Sequence, residues 1–300
     1  MPIKDKLLVT RPQFLTTSVL PVLVGNLAGY HITGSLQYPP LIIALTAIAC
    51  VHLAVNIVND VYDDMNGTDK VNSRAIFPFT GGSQAIQRGL MTRQQMQHLG
   101  LIFLALSIMF GCILYFIKGP VVIFIGLLGI AMGISYSMPP LALASRGLGE
   151  VAIWFAMGPL PVLGGAWLQT GSLESAVIPV AIAVGLWVMN IILINEVPDQ
   201  QADAVSGKRT LVVRLGNKAV AILYLLSSMT ALVCLIMALQ YNGISLWVLI
   251  VPTLLSFSAL YPAYTIQQYN SQPELLCNAI RLSIATHTVN CIWLSVWFVA

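Results

Sequence analysis

Polar residues interrupt this chain rarely and at nearly even intervals. A search for stretches of about 20 apolar residues, the length that crosses a bilayer core, predicts nine helices at roughly 12–32, 40–64, 96–117, 119–138, 148–169, 174–198, 218–240, 243–264 and 279–299. The expected fold is an all-α membrane protein of nine transmembrane helices, one polytopic domain over residues 1–300. The loops alternate in charge. Lys4, Lys6 and Arg11 precede the first stretch, and Lys70, Arg74, Arg88 and Arg93 occupy the second loop. Arg146 lies in the fourth, Lys208, Arg209, Arg214 and Lys218 in the sixth, and Arg281 ends the eighth. Only Lys118 falls on the other side, so 13 of 14 basic residues agree on one orientation. Basic loops stay in the cytoplasm, which predicts a cytoplasmic N-terminus and an external C-terminus.

Composition narrows the class. With 57% hydrophobic and 8% charged residues and a mean hydropathy of +0.84, the chain lies far from a soluble domain, where charged residues make up roughly 25%. The first apolar run lacks a cleavage pattern and is followed by many like it, so it is expected to be a first membrane helix and not a removed signal. Five scattered cysteines, four of them inside apolar runs, predict no disulfide and no zinc site. The net charge of +3 is modest and not interleaved with aromatics, which gives no support to nucleic-acid binding.

The acidic residues are few and concentrated. Of 11, eight fall where predicted helices end: Asp60, Asp63, Asp64, Asp69, Glu150, Glu196, Asp199 and Asp203. Ionisable groups at membrane depth are costly and mark function by default. The second and sixth stretches run in the same direction, so both acidic clusters arrive at the cytoplasmic face. Asn195, Asp199 and Asp203 are spaced by four, on one face of a helix. Asn59 and Asp63 take equivalent places in the first cluster, but Gly67 stands third, which suggests that the helix ends there and the chain turns to bring Asp69 back. Asn56, Asp60 and Asp64 form a second register, and the spacing alone leaves both open. Carboxylate and amide oxygens are the hard ligands that Mg²⁺ takes while sharing phosphate oxygens. Lys208 and Arg209 follow closely enough to grip those phosphates. The recurrence of Asn-acid-x-x-Asp also hints at two four-helix units plus a ninth helix.

These residues carry a resemblance. Asn59-Asp60-x-x-Asp63 and Asn195-x-x-x-Asp199-x-x-x-Asp203 resemble the two Asp-rich motifs of the UbiA superfamily of intramembrane prenyltransferases. Arg11-Pro12, Gly67-x-Asp69, Thr80-Gly81-Gly82-Ser83, Tyr136-Ser137, Pro139-Pro140, Arg146-Gly147-Leu148-Gly149-Glu150 and the run Gly207 to Gly216 are similar to its members that prenylate 1,4-dihydroxy-2-naphthoate in menaquinone synthesis. The likeness runs from residue 10 to about 220; beyond that only hydrophobicity matches. Ala142 and Ala144 stand where relatives commonly have a lysine, which leaves Arg146 as the cation of that stretch.

The resemblance implies a helical bundle with a central cavity opening to the cytoplasmic side, in a bacterial plasma (inner) membrane. It implies Mg²⁺-assisted ionisation of a polyprenyl diphosphate and attack on the carbocation by an aromatic acceptor. Asn59, Asp60, Asp63, Asp69, Asp199 and Asp203 would hold metal, with Asp63 and Asp199 essential to catalysis. Arg11, Asn59, Arg146, Asn195, Lys208 and Arg209 would bind substrate, and Tyr136 would shield the cation with its π face.

Plainer readings stand beside these. The acids could be solvated helix caps, Lys208 and Arg209 topology determinants and Tyr136 a belt aromatic. His52, Asn56, His287 and Asn290 read as interhelical hydrogen-bond partners and stay off the catalytic list. Gly81-Gly82 could be a plain turn or, with Ser83, an anion-binding nest. Alternative acceptors are 4-hydroxybenzoate, haem or chlorophyllide, and the alternative class is a cation-coupled transporter.

Overall fold

Where apolar side chains face lipid, the backbone can bond only to itself, and helices are the local solution. The structure, a computed structural model, describes residues 9–242 and 245–300. The expectations for Lys4, Lys6 and the first residues of the stretch 243–264 lie outside the described residues. Among the described residues there is no strand. The helices are α1 (Thr16–Thr33), α2 (Tyr38–Asn66), α3 (Arg93–Lys118), α4 (Val121–Ser137), α5 (Gly149–Met157), α6 (Pro159–Thr170), α7 (Ile178–Val205), α8 (Leu211–Asn242), α9 (Ile250–Ser258), α10 (Leu260–Gln268) and α11 (Leu276–Val299).

Among the described residues, seven segments are long and apolar enough to cross a membrane: Tyr38–Asn66, Arg93–Lys118, Gly149–Thr170, Ser175–Val205, Leu211–Gln240, Leu246–Gln268 and Pro273–Val299. The remaining two predicted spans correspond to α4, which has 17 residues, and to α1, which carries Thr16, Thr17, Ser18, Asn26 and His31. The polarity of α1 has a physical reason. Thr17, Ser18 and Asn26 are buried against other helices, so α1 is solvated by protein more than by lipid.

Two predicted helices are broken rods. α5 and α6 meet at Gly158 (φ −121, ψ −88), followed by Pro159, because a Cβ there would lie 2.2 Å from the Cα of Gly185 on α7. α9 and α10 likewise replace one stretch. α7 continues past the expected end near 198 to Val205, with Pro198 inside it. That extension keeps Asp199 and Asp203 on one helix. α8 begins at Leu211 and bends at Gly216 (φ 73, ψ 165).

α7 is the axis of the bundle. In its most apolar window 78% of residues are buried, against 17% for α3, which presents its apolar face outward. One core joins α1, α6, α7, α8 and α11 through Val24, Val162, Val184, Leu235 and Leu294. A smaller one pins α2 to α3 through Ile57, Val61 and Met96. α1 and α6 touch backbone to backbone. A Cβ on Gly25 would lie 2.0 Å from the Val162 carbonyl oxygen, and one on Gly29 would lie 2.8 Å from that of Ala166. Small residues four apart are how membrane helices approach this closely.

The contact predicts a contrast. Gly25→Ala should cost about 1–3 kcal/mol by overpacking and lower the melting temperature in detergent. Gly111→Ala, whose Cβ meets nothing within 4 Å, should leave it unchanged or raise it, since Ala is a better helix former by roughly 1 kcal/mol. Equal melting of the two variants would contradict the close approach.

Candidate active site

One face of α2 changes character along its length. Ala44, Ala47, Ile48, Val51 and Val55 line a cavity, and Asn59 and Asp63 continue the row at i+4 and i+8 from Val55. Gly67 (φ 84) ends α2 in the left-handed region. The short helix Thr68–Val71 then turns Asp69 back toward the carboxylates, as the glycine suggested. Asp60 accepts the Ser83 N–H at 3.1 Å, and Asp69 accepts from the Gln87 amide at 3.1 Å. Gly82 (φ 68) faces both: a Cβ there would lie 3.0 Å from Asp60 Oδ1 and 3.5 Å from Asp69 Oδ2. Asp60 Oδ1 is buried and has no partner among the described residues.

α7 supplies the opposing set. Asp199 accepts from the Asn72 amide at 2.7 Å and from the Gly81 N–H at 3.1 Å, so the Gly81-Gly82-Ser83 turn offers backbone donors to both acidic motifs. Asn195 Oδ1 is buried without a partner. Lys208 connects the halves. Its ammonium lies 2.7 Å from Asp63 Oδ1 and 3.9 Å from Asp203 Oδ1. Burial works against the lysine charge, but Asp63 and Asp203 outweigh it and hold its pKa above the ordinary value. Burial first, then the charges of Asp63 and Asp60, pushes Asp69 up to about 8.

The geometry cuts across the two open registers. Asp64 pairs with Arg93 on α3, whose Nε lies 2.8 Å from it, and shares the Gln87 amide with Asp69. Asn56 bonds His52, which in turn bonds Ser18 on α1. His287 reaches the Thr16 carbonyl. His52 and His287 thus make the interhelical bonds expected of them, whereas Asn56 bonds within α2 and the buried Asn290 amide has no partner among the described residues, against the expectation for both. Asn59, Asp60 and Asp63 therefore face the site, with Asn59 donating to the Ser137 hydroxyl at 2.9 Å.

The other candidates divide. Arg11 donates to the Phe79 carbonyl at 2.8 Å and stands near enough to act on the charge of Asp60. Arg146 is exposed and donates to the Pro140 carbonyl at 2.7 Å. Arg209 is exposed, with its N–H on the Ser145 carbonyl. Contacts with the carboxylates are thus made by Lys208, not by Arg146 or Arg209. Asn72 and Gln87 escaped sequence reasoning because neutral residues in a loop carry no periodic signal; the turn that includes Ser83 reads in sequence as a candidate anion-binding nest, and the Ser83 N–H donates to the Asp60 carboxylate.

The cavity holds about 260 Å³ and is lined by α1 to α6, almost entirely with apolar side chains. It lies to one side of the bundle axis, because α7 to α11 fill the other side with core. Tyr136 lines it and also faces the charges of Glu196, Glu150, Asp63 and Asp203. The ring stands where the apolar cavity meets the acidic cluster.

The donor set suits a hard divalent cation. Asp60 Oδ1 and Asn195 Oδ1 lack partners, and Gly82 keeps a side chain out of the space beside Asp60 and Asp69. Among the described residues no three His, Cys, Asp or Glu side chains converge as a closed cation cage. Mg²⁺ does not require one, since it retains waters and shares phosphate oxygens.

Comparison with known proteins gives the family and the fold. The UbiA prenyltransferase family matches residues 18–284. The 1,4-dihydroxy-2-naphthoate octaprenyltransferase of Bacillus subtilis is 26% identical over 285 residues, covering 93% of this chain and 87% of that protein. The Escherichia coli enzyme of the same name is 29% identical over 245 residues, covering 79% and 77%. In fold, the structure of a UbiA homolog from Archaeoglobus fulgidus bound to GPP and Mg²⁺ aligns with a TM-score of 0.64 at 17% identity, covering 97% of this chain and 99% of that one.

The register makes a prediction. Asp60→Asn should weaken Mg²⁺ binding about ten-fold or more, as loss of a charged ligand does, whereas Asp64→Asn should change it less than about two-fold while lowering thermal stability modestly. Isothermal titration checks both, and the reverse order would contradict the assignment.

Proposed function

The chain belongs to the UbiA prenyltransferase family, and we propose that this multi-pass membrane enzyme transfers a polyprenyl group from polyprenyl diphosphate to 1,4-dihydroxy-2-naphthoate, with Mg²⁺, in menaquinone formation. The observation that carries the reading is the junction at Tyr136. An apolar cavity ends at a cluster of carboxylates and a buried lysine, which matches a substrate with an apolar tail and a charged head.

Each set of residues has a task. The cavity walls of α1 to α6 take the isoprenoid tail and keep water from a carbocation that water would quench. Asn59, Asp60, Asp63 and Asp69 from the first motif, and Asp199 and Asp203 from the second, would hold the metal. Bound Mg²⁺ supplies charge that stabilises the departing diphosphate. Lys208 adds a cation at the same place, and Asn195 offers its buried amide. Gly81 and Ser83 fix the orientation of Asp199 and Asp60 through their N–H groups. Tyr136 presents its ring to the developing cation. Arg11, Arg146 and Arg209 line the approach from the basic face and draw in the diphosphate by charge.

The naphthoate acceptor rests on the names of the relatives; 4-hydroxybenzoate is the runner-up. The basic loops support an orientation in a bacterial plasma membrane with the carboxylate ends of α2 and α7, and the N-terminus, on the cytoplasmic side and the C-terminus outside. Nine spans then follow if α1 and α4 cross with the other seven.

The test is incubation of purified protein with Mg²⁺, a long prenyl diphosphate and a panel of aromatic acids, with products identified by mass. A prenylated naphthalene product is expected, and turnover of 4-hydroxybenzoate alone would overturn the acceptor. Asp63→Ala and Asp199→Ala should each lower turnover about a hundred-fold or more while the protein stays folded. Because Asp69 titrates at about 8 without metal and a cation needs the ionised form, Mg²⁺ affinity should rise from about pH 6 to about pH 8. Asp69→Asn should flatten that rise.

A further inference from the structure

The loop that carries Lys208 is fastened on two sides, at the last residue of the second acidic motif and at a carboxyl that belongs to neither motif. Lys208 donates its own N–H to the Asp203 carbonyl at 2.8 Å, which ties it to the end of α7. Three residues later, the N–H of Leu211, the first residue of α8, donates to Glu150 Oε1 at 2.6 Å. Such an N–H has no partner within its own helix, and a carboxylate at a helix N-terminus also gains from the helix dipole. Around it the segment 145–150 grips the segment 209–214. The Arg209 N–H donates to the Ser145 carbonyl, and Arg214 Nε donates to the Arg209 carbonyl at 3.0 Å. A Cβ on Gly147 would lie 2.7 Å from Arg214 Nε, and its φ is 70.

Glu150 is fully buried on the first turn of α5. A buried carboxyl is expensive unless it is bonded, so its place calls for a reason. Its second oxygen, Oε2, is buried and makes no hydrogen bond among the described residues. The Leu211 N–H is therefore the one hydrogen bond given to the Glu150 carboxylate, and it joins α5 to α8 beside the loop that presents the lysine.

We propose that Glu150 is a positioning residue, whose buried carboxyl holds the first N–H of α8 and thereby fixes where the Lys208 ammonium meets the diphosphate of the prenyl donor. From Lys208 to Leu211 the chain spans at most about 10 Å, so release of the Leu211 anchor leaves the backbone on that side of the lysine held by the Arg209 N–H on the Ser145 carbonyl alone and loosens the placing of the ammonium. The proposal rests on the reading of that cluster as a prenyl diphosphate site.

The test compares three full-length variants. Glu150→Ala removes the acceptor. Glu150→Gln keeps an oxygen for Leu211. Leu211→Pro removes the N–H and leaves the carboxyl, at a helix position where proline is tolerated. Glu150→Ala and Leu211→Pro should each raise KM for the prenyl diphosphate about ten-fold and change KM for the aromatic acid less than about two-fold, while Glu150→Gln stays within about three-fold of wild type on both. Deuterium uptake of the 206–215 backbone in substrate-free protein should rise in Glu150→Ala and Leu211→Pro and not in Glu150→Gln.

Loss of function in Glu150→Gln equal to that in Glu150→Ala would overturn the proposal, because the group would then act as an acid or base. Equal rises in both KM values, or unchanged uptake in Glu150→Ala, would also overturn it. If Glu150→Ala fails to fold, Leu211→Pro and Glu150→Gln decide alone. A wild-type protein that turns over no prenyl diphosphate defeats the functional reading instead, and the uptake comparison still decides whether Glu150 holds the loop.

Discussion

Carboxylates repel, and α2, α7 and the short helix after α2 bring five of them to one place. At about 4 Å and an effective dielectric constant near 20, a pair of like charges costs roughly 4 kcal/mol, so Asp60, Asp63, Asp69, Asp199 and Asp203 can share a site only with donors or cations among them. Lys208 is the cation seated there, bridging Asp63 and Asp203. Backbone N–H groups of Gly81 and Ser83 and the amides of Asn72 and Gln87 engage the rest. The loop 72–87 serves this need while Ile76, Phe79 and Ala85 pack it onto the apolar cores.

The same constraint explains how the bundle is arranged. α7 must be the axis, because its carboxylates have to face α2, and an axis is held by helices packed on every side. The glycines at 158 and 185 let α5 and α7 approach at backbone distance, and Gly25 does the same for α1 and α6. With α7 to α11 packed solid, α1 to α6 are left to enclose the cavity. Charge and apolar space then meet along one row of α2, from Val55 to Asp63, with Tyr136 at the boundary.

Much of this is legible in the sequence, for a physical reason. Helices in lipid need long apolar runs, so their places can be read directly, and charges are so rare that each one at a helix end carries information. Asn195, Asp199 and Asp203 were readable because helical spacing survives Pro198. Gly67 announced the turn that returns Asp69. What could not be read depends on which way a side chain rotates. Asp60 and Asp64 are equally spaced candidates, and only the partner Arg93 on α3 takes one of them away. Arg209 looked equivalent to Lys208 and is turned outward. α1 was read only as a first membrane helix; that its Thr17, Ser18 and Asn26 are buried could not be read, because hydropathy does not tell a lipid neighbour from a helix.

The central claim is that the two acidic motifs form one cation site. Anomalous diffraction from crystals soaked in Mn²⁺, a stand-in for Mg²⁺, measures this directly. The account predicts density between α2 and α7, within ligand distance of carboxylates from both Asp60 or Asp63 and Asp199 or Asp203, with Lys208 displaced from Asp63. Density confined to one motif, or found only elsewhere on the protein, would contradict it.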